Sequence, residues 1–339
     1  MSNTTPSRLG QINATGDVNA MFLKVFSGEI LTTFETTTVM KSLHMIRTIS
    51  NGKSAQFPIM GIADAKYHTP GENILDSGNN YLSKIKHAER IIHIDDVLMA
   101  NSFIANIDEL KNHYDLRSRY AAELGRALAK RFDIATMKTL FAAAGGTSPI
   151  GGDDGVSISG ATTTTADGLV AAMYDVATKL DEQDAPDEGR FAILTPSQYY
   201  TLLTADNVAI NRDTGGVGNV ATGNIPMIAG IQLIKSNHLD GIINLGDVSG
   251  TTSGDGEAAN DVFASSGSGY NGDFSSLSGT AGAKGFLAGT SDAIGTVKLL
   301  DLATESEYKI ELQGTLFVAK YAMGHGVLRP ECAVKVLPA

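Results

Sequence analysis

Cysteine is almost missing from this chain of 339 residues: Cys332 stands alone. No disulfide can form within the chain, and the expected role of that thiol is a small buried side chain rather than a nucleophile. Long apolar runs are missing too. Nothing approaches the 18 or more consecutive apolar residues that a membrane-crossing helix needs, and the polar start Met1 to Gly10 has no secretory-signal core, so an aqueous interior is expected. Clustered positive charge is equally scarce. The net charge is −11, and residues 146–295 alone carry 5 Lys+Arg against 18 Asp+Glu, a balance of −13, while the rest is near neutral. A sequence-independent nucleic-acid binder displaces counterions with a dense cationic surface. A protein surrounding nucleic acid with this sequence would do so without gripping it.

What is present is enough apolar material to fold. With 42% hydrophobic and 19% charged residues, the chain can bury one large core or two modest ones. The first 20 residues read as a flexible polar arm. Order is expected from Met21, where Phe22, Phe26, Ile30 and Phe34 recur at helical spacing on a segment too short to build a core alone. From Lys53 to Met60 the pattern alternates like a strand, with Pro58 confining it to an edge, and Lys84 to Leu98 reads as its return arm. Between them lie the turn-formers Pro70-Gly71-Glu72-Asn73 and Ser77-Gly78-Asn79-Asn80, so the spacing predicts a long hairpin with a polar tip. Both faces of the return arm are mixed near Ile85, giving the arm no core of its own. Ten paired residues already reach about 33 Å, and such a ribbon is marginal in water unless another surface covers it. A second copy of the chain is the natural cover.

Phe103, Ile107, Leu110 and Tyr114 then recur at helical spacing, and after Asp115, as N-cap, Ala121, Leu124, Leu128, Phe132 and Ala135 continue the pattern to about Ala144. From Leu116 this predicts a spine helix of about 43 Å. The glycine-rich stretch 145–160 reads as a boundary leading into an acidic mixed α/β unit. Its expected elements are a helix over Leu169, Ala172, Met173, Val176 and Leu180, a buried strand Phe191 to Leu194, a helix with Pro196 at its first position, and a strand Gly230 to Lys235. Residues 245–290 hold 11 glycines and 8 serines in 46 positions and read as an exposed insertion. In the final segment Tyr308, Ile310 and Leu312 alternate with polar residues as a strand, and Gly314 turns it into a more buried one, Leu316 to Tyr321.

Catalytic motifs fail on spacing. Gly52-Lys53-Ser54 imitates the end of a phosphate-binding loop, but the glycine required five residues earlier is Arg47. Gly267 to Gly272 matches a dinucleotide fingerprint without the strand and helix that give it meaning. The seven histidines form no tight ligand pair, and surface or interface positions are their expected places. Asp153-Asp154 and Asp181-Glu182-Gln183-Asp184 lack the alternation of a calcium loop, and no GxSxG elbow occurs. No enzyme, cofactor or metal is expected.

Six collinear strings carry a resemblance: Phe22-Leu23-Lys24-Val25-Phe26 with Gly28-Glu29; Gly52 to Pro58; Pro70-Gly71-Glu72-Asn73; Asn112-His113-Tyr114-Asp115 with Arg117-Ser118; Gly295-Thr296-Val297-Lys298-Leu299; and Lys320 to Gly326. Together they resemble the major capsid proteins of short-tailed bacteriophages; residues 146–290 depart from the pattern. The resemblance implies an α+β fold, that of tailed-phage and herpesvirus shells. It also implies four parts: an N-terminal arm (1–49), an extended loop (50–98), a peripheral domain (99–145 and 296–325) and an axial domain (146–295 and 326–339). Implied partners are further copies as hexamers and pentamers, a scaffolding protein and a portal, with double-stranded DNA inside and no membrane, in a virion assembled in the host cytoplasm. On the residues, the intersubunit contacts expected are Phe22, Phe26, Phe57, Pro70, Gly71, Glu72, Asn73 and Ile85. A different self-assembling sheath and a soluble enzyme built on the middle domain are the rival readings.

Overall fold

A computed structural model describes residues 38–61, 63, 65–75, 81, 85–94, 97–105, 116–150, 153–204, 225, 227–237, 239 and 284–338. Phe22, Phe26, the Asp115 cap and residues 245–283 of the insertion lie outside these. Helices and strands are both present, as an α+β fold requires, and contacts divide the chain into two compact units.

One unit contains Val97–Arg131 and Leu300–Ala322. Its strand β4 (Leu98–Ala105) runs antiparallel to β11 (Gly314–Val327), from Gly314↔Ala105 to Tyr321↔Leu98. This corrects the helical reading of Phe103, which sits on β4 opposite Leu316. Its spacing to Ile107 fits a helix, but eight residues of ladder with a partner two hundred positions away override a local period. β10 (Ile294–Lys309) precedes β11, and the turn between them differs from expectation as well. Ile310–Leu312 form a 3-10 turn followed by Gln313 in the left-handed region, so Ile310 and Leu312 are 60% and 64% exposed instead of lining a strand.

The other unit contains Val39–Asp96, Phe132–Leu299 and Met323–Ala339. Its centre is a six-stranded mixed sheet ordered β5-β12-β9-β6-β8-β7. These strands are β5 (Val156–Ala161), β6 (Phe191–Leu194), β7 (Met227–Ile228), β8 (Ile231–Lys235), β9 (Phe286–Gly289) and β12 (Ala333–Pro338). β12 lies parallel to β5 and antiparallel to β9. β9 overturns part of the insertion as read: Phe286, Leu287 and Ala288 have no exposed surface and hold the middle of the sheet. Three apolar residues vanish in a 46-residue count of glycine and serine, although a short continuous apolar run is what a fully covered strand looks like.

The helices follow their patterns. α1 (Leu116–Ala143) is 28 residues, about 42 Å long. α2 (Ala166–Glu182) starts where the Thr165 side chain accepts from the Gly168 N–H and buries Leu169, Ala172, Met173, Val176 and Leu180, the predicted stripe. α3 (Pro196–Thr204) has proline first, where the missing N–H is harmless. Cys332 is buried, and burial raises its thiol pKa, which keeps it protonated and inert.

Candidate assembly surface

The predicted hairpin forms. β2 (Ser54–Met60) pairs antiparallel with β3 (His87–His93), register Ser54↔His93 to Met60↔His87, and Gly61 N–H extends the ladder to Lys86 O at 2.8 Å. Alternation splits its faces. Gln56, Pro58, Met60, His87, Glu89, Ile91 and His93 point outward and are exposed, while Ala55, Phe57, Ile59 and Ile92 are buried.

That buried face corrects part of the reading that the return arm has no core of its own: its base, at Ile92, has one. Ala55, Phe57 and Ile92 pack with Val297 and Leu328, flanked by Ile49 and Ile94. Phe57, expected at an intersubunit contact, is 7% exposed and covered by its own chain; the Arg47 guanidinium lies 5.7 Å from its ring centroid and donates to Gln56 O at 2.8 Å. The sequence string from Lys320 to Gly326 acquires a physical reason here. A Cβ on Gly324 would stand 2.0 Å from His93 O, so only glycine lets β11 approach the end of β3.

The distal part is different. Thr69-Pro70-Gly71-Glu72 make a tight turn closed by Glu72 N–H to Thr69 O at 3.2 Å, with Gly71 at φ +96. Proline second and a positive-φ glycine third are the requirements of a type II turn. Asn73 Oδ1 accepts from Leu75 N–H at 3.0 Å, a side-chain turn that continues it. Tyr81 reaches across from the returning chain to Thr69 and Glu72. The structure thus brings Pro70, Gly71, Glu72 and Asn73 together in one small knob. Beside them Tyr67 is fully exposed, Leu75 is 75% and Ile74 51% exposed, and on the return arm Ile85 is 42% exposed. Large apolar side chains are thus left uncovered along one stretch of the chain.

A second polar constellation went unread in the sequence. His44 is buried and His325 partly so within the subunit, where surface or interface positions were expected, and both face the wholly buried Thr296 hydroxyl. His44 Nδ1 is 2.7 Å from Met40 O, His44 Nε2 2.7 Å from Thr296 Oγ1, and Thr296 Oγ1 2.9 Å from His325 Nδ1. A carbonyl only accepts, so His44 Nδ1 donates to it; Nε2 then accepts from the hydroxyl, which accepts from His325 Nδ1–H. Every link is satisfied with both rings neutral. Burial lowers the pKa of His44, partly offset by the Met40 carbonyl and Asp133, and lowers that of His325 to about 3, with His44 adding to it. Phe132 abuts both, its ring 5.3 Å from that of His325 and 6.0 Å from that of His44. The alternation of Phe317, Ala319, Tyr321 and Met323 extends by parity to His325, a signal that would have placed it inward. Among the described residues no group of three His, Cys, Asp or Glu side chains is placed to hold a metal ion.

Comparison with known proteins agrees with this geometry. The family described as Gp10A-like: Major capsid protein matches residues 56–337. The major capsid protein of Escherichia phage T7 is 34% identical over 346 aligned positions, covering 96% of this chain and 93% of that protein. The capsid structure of Cyanophage P-SCSP1u matches at TM-score 0.70 and 36% identity, covering 100% of this chain and 99% of that one. The mature capsid of bacteriophage PhiM1, at TM-score 0.66, 17% identity and coverage of 89% and 87%, shares the fold. Ribbon, spine helix, mixed sheet and these matches converge: the chain belongs to the Gp10A-like major capsid protein family, as a structural subunit of a tailed-phage capsid shell and not an enzyme.

Proposed function

We propose that copies of this chain close as hexamers and pentamers into an icosahedral head around double-stranded DNA, each subunit laying its hairpin tip on a neighbour. The observation that carries this reading is the tip itself: a hydrogen-bonded turn, exposed and flanked by the uncovered side chains of Tyr67, Ile74 and Leu75, with Ile85 exposed on the return arm. One such contact is modest in energy, but closed symmetry repeats it at every neighbour. The leading arm with Phe22 and Phe26 serves as a second contact. In the same reading residues 50–98 are the extended loop, 99–145 with 296–325 the peripheral domain, and 146–295 with 326–339 the axial domain; the subunit contacts outweigh the balance of −13 that residues 146–295 carry. A scaffolding protein and a portal take part in assembly in the host cytoplasm, and the DNA is enclosed without sequence-specific contacts.

Deletion of residues 70–80 tests the reading. The expected product is a soluble subunit with an unchanged melting curve that forms no shells by sedimentation and negative-stain microscopy. Shells of normal size from the deletion would overturn the role given to the tip. Imaging of particles from the intact chain, with nuclease-protected DNA measured alongside, tests the hexamers, pentamers and cargo.

A further inference from the structure

We infer that Tyr81 is a positioning residue for assembly: one phenolic oxygen ties both ends of the 69–72 turn together and sets the tip in its docking shape before a second copy of the chain arrives. This rests on the reading just given, in which the tip docks on a neighbour.

The tip has little reason to be ordered for the subunit's own sake. Residues 65–73 form no helix or strand and are exposed. Left to itself such a loop samples many conformations, and a partner that needs one of them loses affinity by the fraction it must select. Tyr81 counters this. Its Oη accepts from Thr69 N–H at 3.1 Å and donates its single proton to the Glu72 carboxylate, while Thr69 Oγ1 stands 3.3 Å away. Thr69 and Glu72 are the first and last residues of the turn that the backbone already closes. His68 completes the knot from the other side: its Nε2 donates to Glu72 O at 2.9 Å, and its ring lies 5.2 Å from that of Tyr81, tilted by 56°. His68, Thr69, Glu72 and Tyr81 therefore hold one another. Polar groups are consumed inside the knot, and the neighbouring Tyr67, Ile74 and Leu75 are left facing outward, an arrangement that favours an apolar surface on the incoming copy over water.

Two substitutions test this in the full-length chain. Tyr81→Phe keeps the ring beside His68 and removes only the hydroxyl. Gly71→Ala adds a methyl group that meets nothing within 4 Å, so it acts solely by disfavouring φ +96 at the turn. Both proteins should melt like the parent. In both, the Glu72 amide should exchange with solvent faster in the unassembled subunit, and the subunit concentration at which shells appear should rise by roughly tenfold. Above that concentration shells of normal diameter should form, because lost preorganisation is overcome by mass action. An unchanged threshold despite faster exchange overturns the inference, as does unchanged exchange. Complete loss of shells at every concentration for Tyr81→Phe overturns it too, since the hydroxyl would then be touching the neighbour itself. The deletion of 70–80 separates the two claims. If it blocks shells while Tyr81→Phe assembles like the parent, only the inference fails; if it also assembles normally, the docking tip fails with it.

Discussion

The Thr296 hydroxyl lies 2.9 Å from Nδ1 of His325 and bridges that ring to His44, so that two imidazoles share one buried oxygen and both are held neutral. Unfolded, each takes up a proton near its ordinary value of 6.5; folded, His325 does so only at about 3 and His44 also below 6.5. In that window the unfolded chain holds more protons. Stability from this source is therefore fully present above about pH 6.5 and is lost as pH falls, by up to about 1.4 kcal/mol per pH unit for each histidine. Urea unfolding of the unassembled subunit at several pH values below neutrality should show the decline, and His325→Gln should flatten it. Parallel slopes in the two proteins would show that His325 contributes nothing.

Phe57 belongs to the subunit's own core. Phe57→Ala should destabilise the unassembled subunit by about 3–5 kcal/mol, as the loss of a buried aromatic side chain does. Denaturant midpoints measured where no shells form isolate that effect. A variant as stable as the parent but defective in assembly would return Phe57 to an intersubunit contact.

Gly324 permits contact between β11 and the carbonyl of His93. In Gly324→Ala the added carbon has nowhere to go without moving backbone, and the expected loss is about 1–3 kcal/mol. Ile94 N–H donates to Lys53 O at 2.8 Å beside this contact, and its hydrogen exchange should accelerate. Exchange at the parent's rate would mean that β11 does not brace the hairpin.

Ile85 is the opposite case. Exposed as it is, Ile85→Ser should leave subunit stability within about 0.5 kcal/mol, while shell yield falls at a fixed subunit concentration. Light scattering against a melting curve reads both, and an unaltered yield removes Ile85 from the contact surface.

The hairpin, the spine helix from Leu116 and, in the middle, α2, β6, α3 and β8 were legible from their apolar patterns and caps, whereas β5 lies in the glycine-rich stretch that reads as a boundary. Phe103 and β9 were not. The first has a spacing that suits a helix locally and is decided by a distant strand; the second is four residues long and sits in company that reads as loop. The tip residues Pro70 to Asn73 were legible as turn chemistry, but their tie to Tyr81 was not, because nothing in a lone tyrosine announces what its hydroxyl will meet. The surroundings of Phe57 were hidden for a related reason: the alternation showed that one face of β2 is apolar, and only the fold shows that Val297 and Leu328 supply cover within the subunit.

β12, residues 333–338, slots between β5 and β9. Without that stretch β5 would have no neighbour in the sheet and β9 would keep only β6, so one short strand welds residues 156–161 to the rest of the unit. That weld joins segments far apart in sequence, and closing it is a long-range step of folding rather than a local one.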